Sequence, residues 1–199
     1  MRRVASIILF AAVLAMGAAW PAAGGVPIHV TIDEYDFTPE TKTFNVRAGP
    51  FSVGFHNDGA FDHTVTHNRG YFDSGDVASG NTVAVTLFGA GSYPYHCQNH
   101  PDLMRGTLNY KPAASDTEVG VGDSIDLLIG DPLLKGVAWD VQRRRNGGDW
   151  VLVADHTFDA TPTFTFGRKG TFDFRARTVV KLGRTNWSPN RTVVVTPVA

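Results

Sequence analysis

Tyr93-Pro94-Tyr95-His96-Cys97-Gln98-Asn99-His100-Pro101-Asp102-Leu103-Met104-Arg105-Gly106 is the stretch on which the reading of this chain turns. Its first part alternates: Tyr93, Tyr95 and Cys97 fall on one face of an extended strand, with Pro94 and His96 on the other. Its second part carries Asn, Pro, Asp and Gly and reads as a loop. A thiol, an imidazole and a thioether therefore sit within eight residues, Cys97 to Met104, just beyond a strand. Cys97 is the sole cysteine of the chain, so it makes no internal disulfide and needs a partner, burial or a task.

Upstream, a second imidazole, His63, opens a strand after the turn Asn57-Asp58-Gly59. Two His, one Cys and a distant Met are the donor set of a blue-copper electron-transfer site. Thiolate and thioether are soft and favour the reduced ion, whereas imidazole suits both oxidation states. A site that compromises between the two preferred geometries moves little when an electron passes.

The surrounding sequence reads as strands throughout. Ile28, Val30 and Ile32 alternate with polar residues, as do Phe44 and Val46, Val53 and Phe55, and Val83, Val85 and Leu87; Leu108 and Tyr110 close the first half. Lys111-Pro112-Ala113-Ala114-Ser115-Asp116 reads as a linker. Beyond it, Ile125, Leu127 and Ile129 alternate, then Val137, Trp139 and Val141, then Phe172, Phe174 and Ala176, with Val193 and Val195 last. About seven strands in this half is the size of an immunoglobulin-like sandwich. Each half has its own apolar strand set, so a chain ending near Pro112 is expected to fold alone.

The first half resembles a cupredoxin, most like the plastocyanin and amicyanin group. The resemblance runs from about Val26 to Tyr110 and rests on Phe37-Thr38-Pro39, Gly49, Asn57, Phe61-Asp62-His63-Thr64-Val65, Phe72-Asp73-Ser74-Gly75, Gly91-Ser92-Tyr93 and the Cys97-to-Met104 loop. It implies a Greek-key β-sandwich or barrel, with His63, Cys97 and His100 as strong ligands of one type 1 copper ion and Met104 as the weak axial one. Three residues separate His100 from Met104, one more than in amicyanin-like loops and one fewer than in plastocyanins. Many relatives place Asn after the first His, where it braces the Cys-bearing loop; here Thr64 stands there, and its hydroxyl can make a similar bond. The second half resembles a fibronectin type III domain on Trp139-Asp140-Val141-Gln142-Arg143-Arg144, Trp150, the Phe172-to-Arg177 alternation and Asn186-Trp187-Ser188-Pro189; Phe172 replaces the usual corner Tyr.

The remaining polar residues read more blandly. His96 points away from Cys97, and although copper nitrite reductases use the residue at that place for a second metal, a plain surface His is the simpler reading. His67 reads as a loop or surface residue. Arg143-Arg144-Arg145 reads as a solvated strand end, with a docking patch the alternative.

The N-terminus has the layout of a signal peptide: Arg2 and Arg3, an apolar run from Val4 to Trp20, then Ala22, Ala23 and Gly24. A retained anchor is the alternative, although a run of about 17 residues is short for a span. The expected layout is a signal over 1–24, a copper domain over 25–112 and a fibronectin type III-like domain over 113–199, in a secreted or periplasmic protein. Residues 25–112 carry nine acids and five bases, and residues 113–199 ten acids and eleven bases. Neither half is basic enough to imply nucleic acid, and nothing after residue 24 reads as a membrane span. The chain lacks the His-x-His pairs of a multicopper oxidase, and nitrite reduction would need a second cupredoxin domain. The function expected is non-enzymatic single-electron transfer between transient redox protein partners, with the second domain serving for docking or spacing; an extracytoplasmic copper carrier or buffer is the alternative. Dedicated carriers tend to be rich in Met and His, and the only Met beyond the leader is Met104.

Overall fold

The computed structural model describes residues 27–197, in strands joined by turns, bends and irregular segments; the expected signal segment lies outside them. No helix among the described residues is long and apolar enough to cross a membrane.

The first half is built from β1 (Ile28–Ile32), β2 (Phe37–Thr38), β3 (Thr41–Asn45), β4 (Phe51–Asn57), β5 (Thr66–His67), β6 (Thr82–Leu87), β7 (Gly91–His96) and β8 (Arg105–Lys111). They form two four-stranded sheets, in the orders β2-β1-β4-β6 and β3-β8-β7-β5. β1 lies parallel to β4, and β3 parallel to β8, while the hairpin β7-β8 is antiparallel. Sequence neighbours thus cross between sheets, as a Greek key requires. The period of two does the sorting. In β7, Gly91, Tyr93 and Tyr95 are buried and Ser92, Pro94 and His96 lean outward. The tyrosines meet Val30, Ile32, Val53, Phe55 and Leu108 between the sheets, and Phe37, Phe55 and Tyr95 pack edge to face with centroids 4.9–6.4 Å apart, the preferred aromatic geometry.

The second half comprises β9 (Ala113–Ala114), β10 (Glu118–Gly120), β11 (Ser124–Leu128), β12 (Ala138–Arg145), β13 (Val151–Thr157), β14 (Thr163–Thr165), β15 (Gly170–Val180), β16 (Gly183–Arg184) and β17 (Arg191–Thr196). One sheet runs β10-β17-β15-β12-β13, with β16 beside β15; the facing sheet runs β14-β11-β9. This is an immunoglobulin-like sandwich: the central long strands β12 and β15 carry Trp139, Val141, Phe174 and Ala176 inward against Ile125, Leu127 and Phe166.

The expected independence of the two cores is not what the structure shows. The buried side chains form one continuous cluster across both halves. Ala90 N–H donates to the Ile129 carbonyl at 2.7 Å, and Ser92 N–H to the Asn186 carbonyl at 3.0 Å. The Tyr93 hydroxyl donates to the Gly89 carbonyl and lies 3.1 Å from Thr178 Oγ1, which itself donates to the Ala90 carbonyl. The indole of Trp139 rests on Gly89 and Gly130, where a Cβ on either would collide with it. Alternation patterns mark which face of a strand is apolar but not that the faces of two halves share one seam. The linker is correspondingly taut: Arg191 donates to the Pro112 carbonyl and to Asn45 Oδ1.

Candidate metal centre

Strand β7 delivers Cys97 to the end of the first half, and the turn that follows returns the chain to β8. That turn closes on itself: His100 N–H donates to the Cys97 carbonyl, Met104 N–H to the His100 carbonyl and Cys97 N–H to the Met104 carbonyl. His63 is placed independently. It forms a two-way backbone bridge with Val77, at 3.2 and 2.7 Å. Asn57, fully buried, fixes both sides of that bridge, its amide donating to the Phe61 and Val77 carbonyls while its oxygen accepts from Gly59 N–H.

The result is that His63, Cys97 and His100 offer ligand atoms all within 4.8 Å of one another. Nδ1 of His63 lies 3.7 Å from Cys97 Sγ, and Nδ1 of His100 4.0 Å from it. These gaps exceed a well-formed hydrogen bond but suit two donors flanking one ion, with bonds of about 2.0–2.3 Å. The remaining ring nitrogen of His63, Nε2, is buried with no partner among the described residues. Burial, then the neighbouring His100, hold the His63 pKa below its usual value, which favours the neutral imidazole that binds metal. One soft sulfur and two imidazole nitrogens, with the sulfur and His63 fully buried, fit copper. Met104, fully buried, ends the same turn. Its backbone is tied to both Cys97 and His100.

The support around the sulfur is specific. Thr64 N–H points at Cys97 Sγ, 3.3 Å away, and stabilises a thiolate. The Thr64 hydroxyl takes over the bracing role left open by the missing Asn: it accepts Gln98 N–H at 2.8 Å. It passes its own proton to Thr66 Oγ1, 3.0 Å away, and the Thr66 hydroxyl donates to Asp73 Oδ1. Asp73 also accepts from Gly75 N–H and from the Gln98 side chain. The Gly75 amide, with help from Thr66 and Gln98, holds its carboxyl below the usual range. Neither Asp73 nor Asn57 was assigned a role from sequence; the only signal for them was their place in the segments that carry the cupredoxin resemblance. Tyr35 was missed altogether. It comes from the β1–β2 loop and meets the His100 ring edge-on at 5.4 Å.

His96 is turned away from the cluster, its Nδ1 2.8 Å from Asn68 Oδ1. His67 departs from expectation. It is 3% exposed rather than at the surface, wedged against Tyr71, Phe72 and Tyr93. Its Nδ1 accepts Arg69 N–H, so the ring is neutral with its proton on Nε2. Burial, then Arg69, push its pKa down to about 4. The unfolded chain therefore takes up a proton near pH 6.5 that the folded one refuses until about 4. Stability should be flat above pH 6.5 and fall as the pH drops toward 4, by on the order of 2–3 kcal/mol from this group. Denaturant titrations of the metal-free protein between pH 7.5 and about 4 would check it. His67→Gln should have a visibly shallower slope across that window; parallel slopes would refute the assignment.

The profile of the cupredoxin-like domain family matches residues 5–109. The chain belongs to this family. As a cupredoxin-like protein, it carries the His-Cys-His group inside the matched region and the sandwich of β9–β17 beyond it. None of the curated proteins compared with it matches. Similar solved structures include the fibronectin type III domain of human fibronectin type III domain containing protein 3, 17% identical, covering 45% of this chain and 88% of that one at a TM-score of 0.34. Another is the FN1–FN3 segment of chicken CNTN1, 10% identical, covering 76% of this chain and 63% of that one at a TM-score of 0.34.

Proposed function

We propose that this cupredoxin-like protein is an exported, non-enzymatic carrier of single electrons that binds one type 1 copper ion through His63, Cys97, His100 and Met104. The observation that carries the reading is the pair of imidazole Nδ1 atoms flanking a buried cysteine sulfur that already receives a backbone N–H. Copper, when bound, supplies one-electron chemistry. The chain supplies the rest. Anchoring of the donors by β7, by the Val77 bridge and by Asn57 keeps their positions fixed whichever oxidation state is present, and the Thr64 N–H tunes the sulfur. His100 is the half-exposed member of the set. Tyr35, Phe61 and Leu103, each more than half exposed, give an apolar face beside it, suited to the small, short-lived contacts of redox partners.

Copper titration followed by visible spectroscopy and voltammetry tests this. One equivalent should give an intense visible band and a reversible one-electron couple; binding without such a band would favour the copper-carrier reading instead. Met104→Leu should keep the band and raise the potential, because a weak donor that favours the oxidised ion is lost. The swap conserves volume and should cost less than about 1.5 kcal/mol. An unmoved potential would show that Met104 is not the axial ligand.

A further inference from the structure

The geometry points to a second binding site, at the open end of the β9–β17 sandwich, for a small carboxylate carrying an apolar body. On β12, Arg143 and Arg145 stand opposite Phe174 and Phe172 of β15, so they share the face of the apolar core, Arg143 half-buried and Arg145 exposed at the strand end. Inward charges are a known protection for edge strands, but β12 lies between β13 and β15 and is not an edge. Arg145, at the strand end, is solvated as expected, whereas Arg143 lies over an apolar ring.

Their surroundings form a cleft of about 580 Å³ between the ends of the two sheets. Its floor includes Phe166 and Phe172, packed with centroids 4.9 Å apart, and its sides include Val151 and Thr165. Arg143 and Arg168 stand on the rim, with Asp149 the one acid lining it. The walls are preformed. Arg145 donates twice to the Lys169 carbonyl, and Asn146 exchanges two hydrogen bonds with Thr171, pinning the β12–β13 turn to the β14–β15 turn.

Most arginines nearby are already engaged. Arg144 pairs with Asp173, Arg175 with Gln142, and Arg177 with Asp140. Arg143 lies over the Phe172 ring at 5.6 Å and has no hydrogen-bond acceptor among the described residues. A ring face answers its charge but none of its five N–H donors. A planar guanidinium with no protein acceptor, held above an apolar floor, matches a carboxylate, which it can grip with two parallel bonds. The volume is that of a small-molecule pocket, mostly apolar with a few placed polar groups. This inference stands apart from the copper site.

The test uses the whole chain without its leader and three probes: octanoate, acetate and octan-1-ol. Amide chemical shifts followed by NMR should show saturable octanoate binding confined to residues 143–151 and 165–172. Acetate and octanol should bind at least about tenfold more weakly, since each lacks one half of the recognition. Arg143→Gln should weaken octanoate about tenfold or more, the usual consequence of losing a charged hydrogen bond. Arg168→Gln, a substitution at the exposed rim, should weaken it too and guards against a folding defect in the first variant. Octanol as tight as octanoate would reduce the site to an apolar crevice, and acetate as tight would reduce it to a general anion patch. Either result would overturn the proposal, as would no saturation or unchanged affinity in both variants.

Discussion

Cys97→Ser is expected to abolish the visible absorption of the copper-loaded protein and to leave the fold standing. The sulfur is the one donor that both imidazoles face, and it alone can supply charge transfer from a thiolate. A serine hydroxyl keeps its proton at neutral pH and offers only a weak neutral oxygen. Losing a mere supporting hydrogen bond costs a metal site roughly 10–100-fold; losing the anionic ligand should cost more than that. The fold should tolerate the change because Ser is nearly isosteric and Thr64 N–H, now 3.3 Å from the sulfur, can donate to the new oxygen. A loss of no more than about 2 kcal/mol is expected. Titrating copper into both proteins while recording visible and far-ultraviolet spectra separates the two effects. A visible band surviving in the Ser variant would show that Cys97 is not the donor.

Ending the chain near Pro112 should be nearly as damaging, though by a different route. The cut strips Ile129 and Thr178 from Ala90, Asn186 from Ser92 and the Trp139 indole from Gly89. It also bares Tyr93, which is now fully buried. Each buried hydrogen bond lost removes about 1 kcal/mol, and uncovering apolar surface adds about 25 cal/mol per Å². The total, on the order of several kcal/mol, rivals the whole stability of a small domain. The shortened protein should therefore be insoluble, or soluble with a depressed melting temperature and a broadened copper spectrum, because β7 leads directly into Cys97. A soluble fragment with the melting temperature and spectrum of the whole chain would refute this.

The contrast shows what sequence could and could not convey. Local periodicity exposed most of the strands: Tyr93, Tyr95 and Cys97 do share a face, and Ile125, Leu127 and Ile129 are all buried. Spacing exposed the donor set, because a Cys-to-Met loop is a compact local pattern. What escaped depends on contacts that periodicity and spacing do not encode, whether near or far along the chain. Tyr35 meets His100 across 65 positions of chain, and nothing near Tyr35 hints at it. His67 looked like a loop residue because its neighbours Asn68, Arg69 and Gly70 are polar or small; the aromatic rings that bury it come from Tyr71, Phe72 and Tyr93. Thr64 was flagged only as a substitute for a missing Asn, and the chain of hydroxyls through Thr66 to Asp73 required three dimensions to see.

The seam also sets an order of events. Tyr93 and Thr178 are 85 residues apart, and Arg69 and Arg184, another pair across it, 115 apart. Contacts of such separation form late, because a long loop must close before any of them is rewarded. The strand that presents the thiol is therefore without its backing until the C-terminal sandwich has docked. In a chain so far only partly folded, Cys97 is open to oxidation or to any soft ion that arrives. Refolding yields should accordingly depend on redox conditions and on when copper is added: metal supplied after folding meets one preformed site, and metal supplied before it meets a loose thiol and the seven imidazoles of the chain.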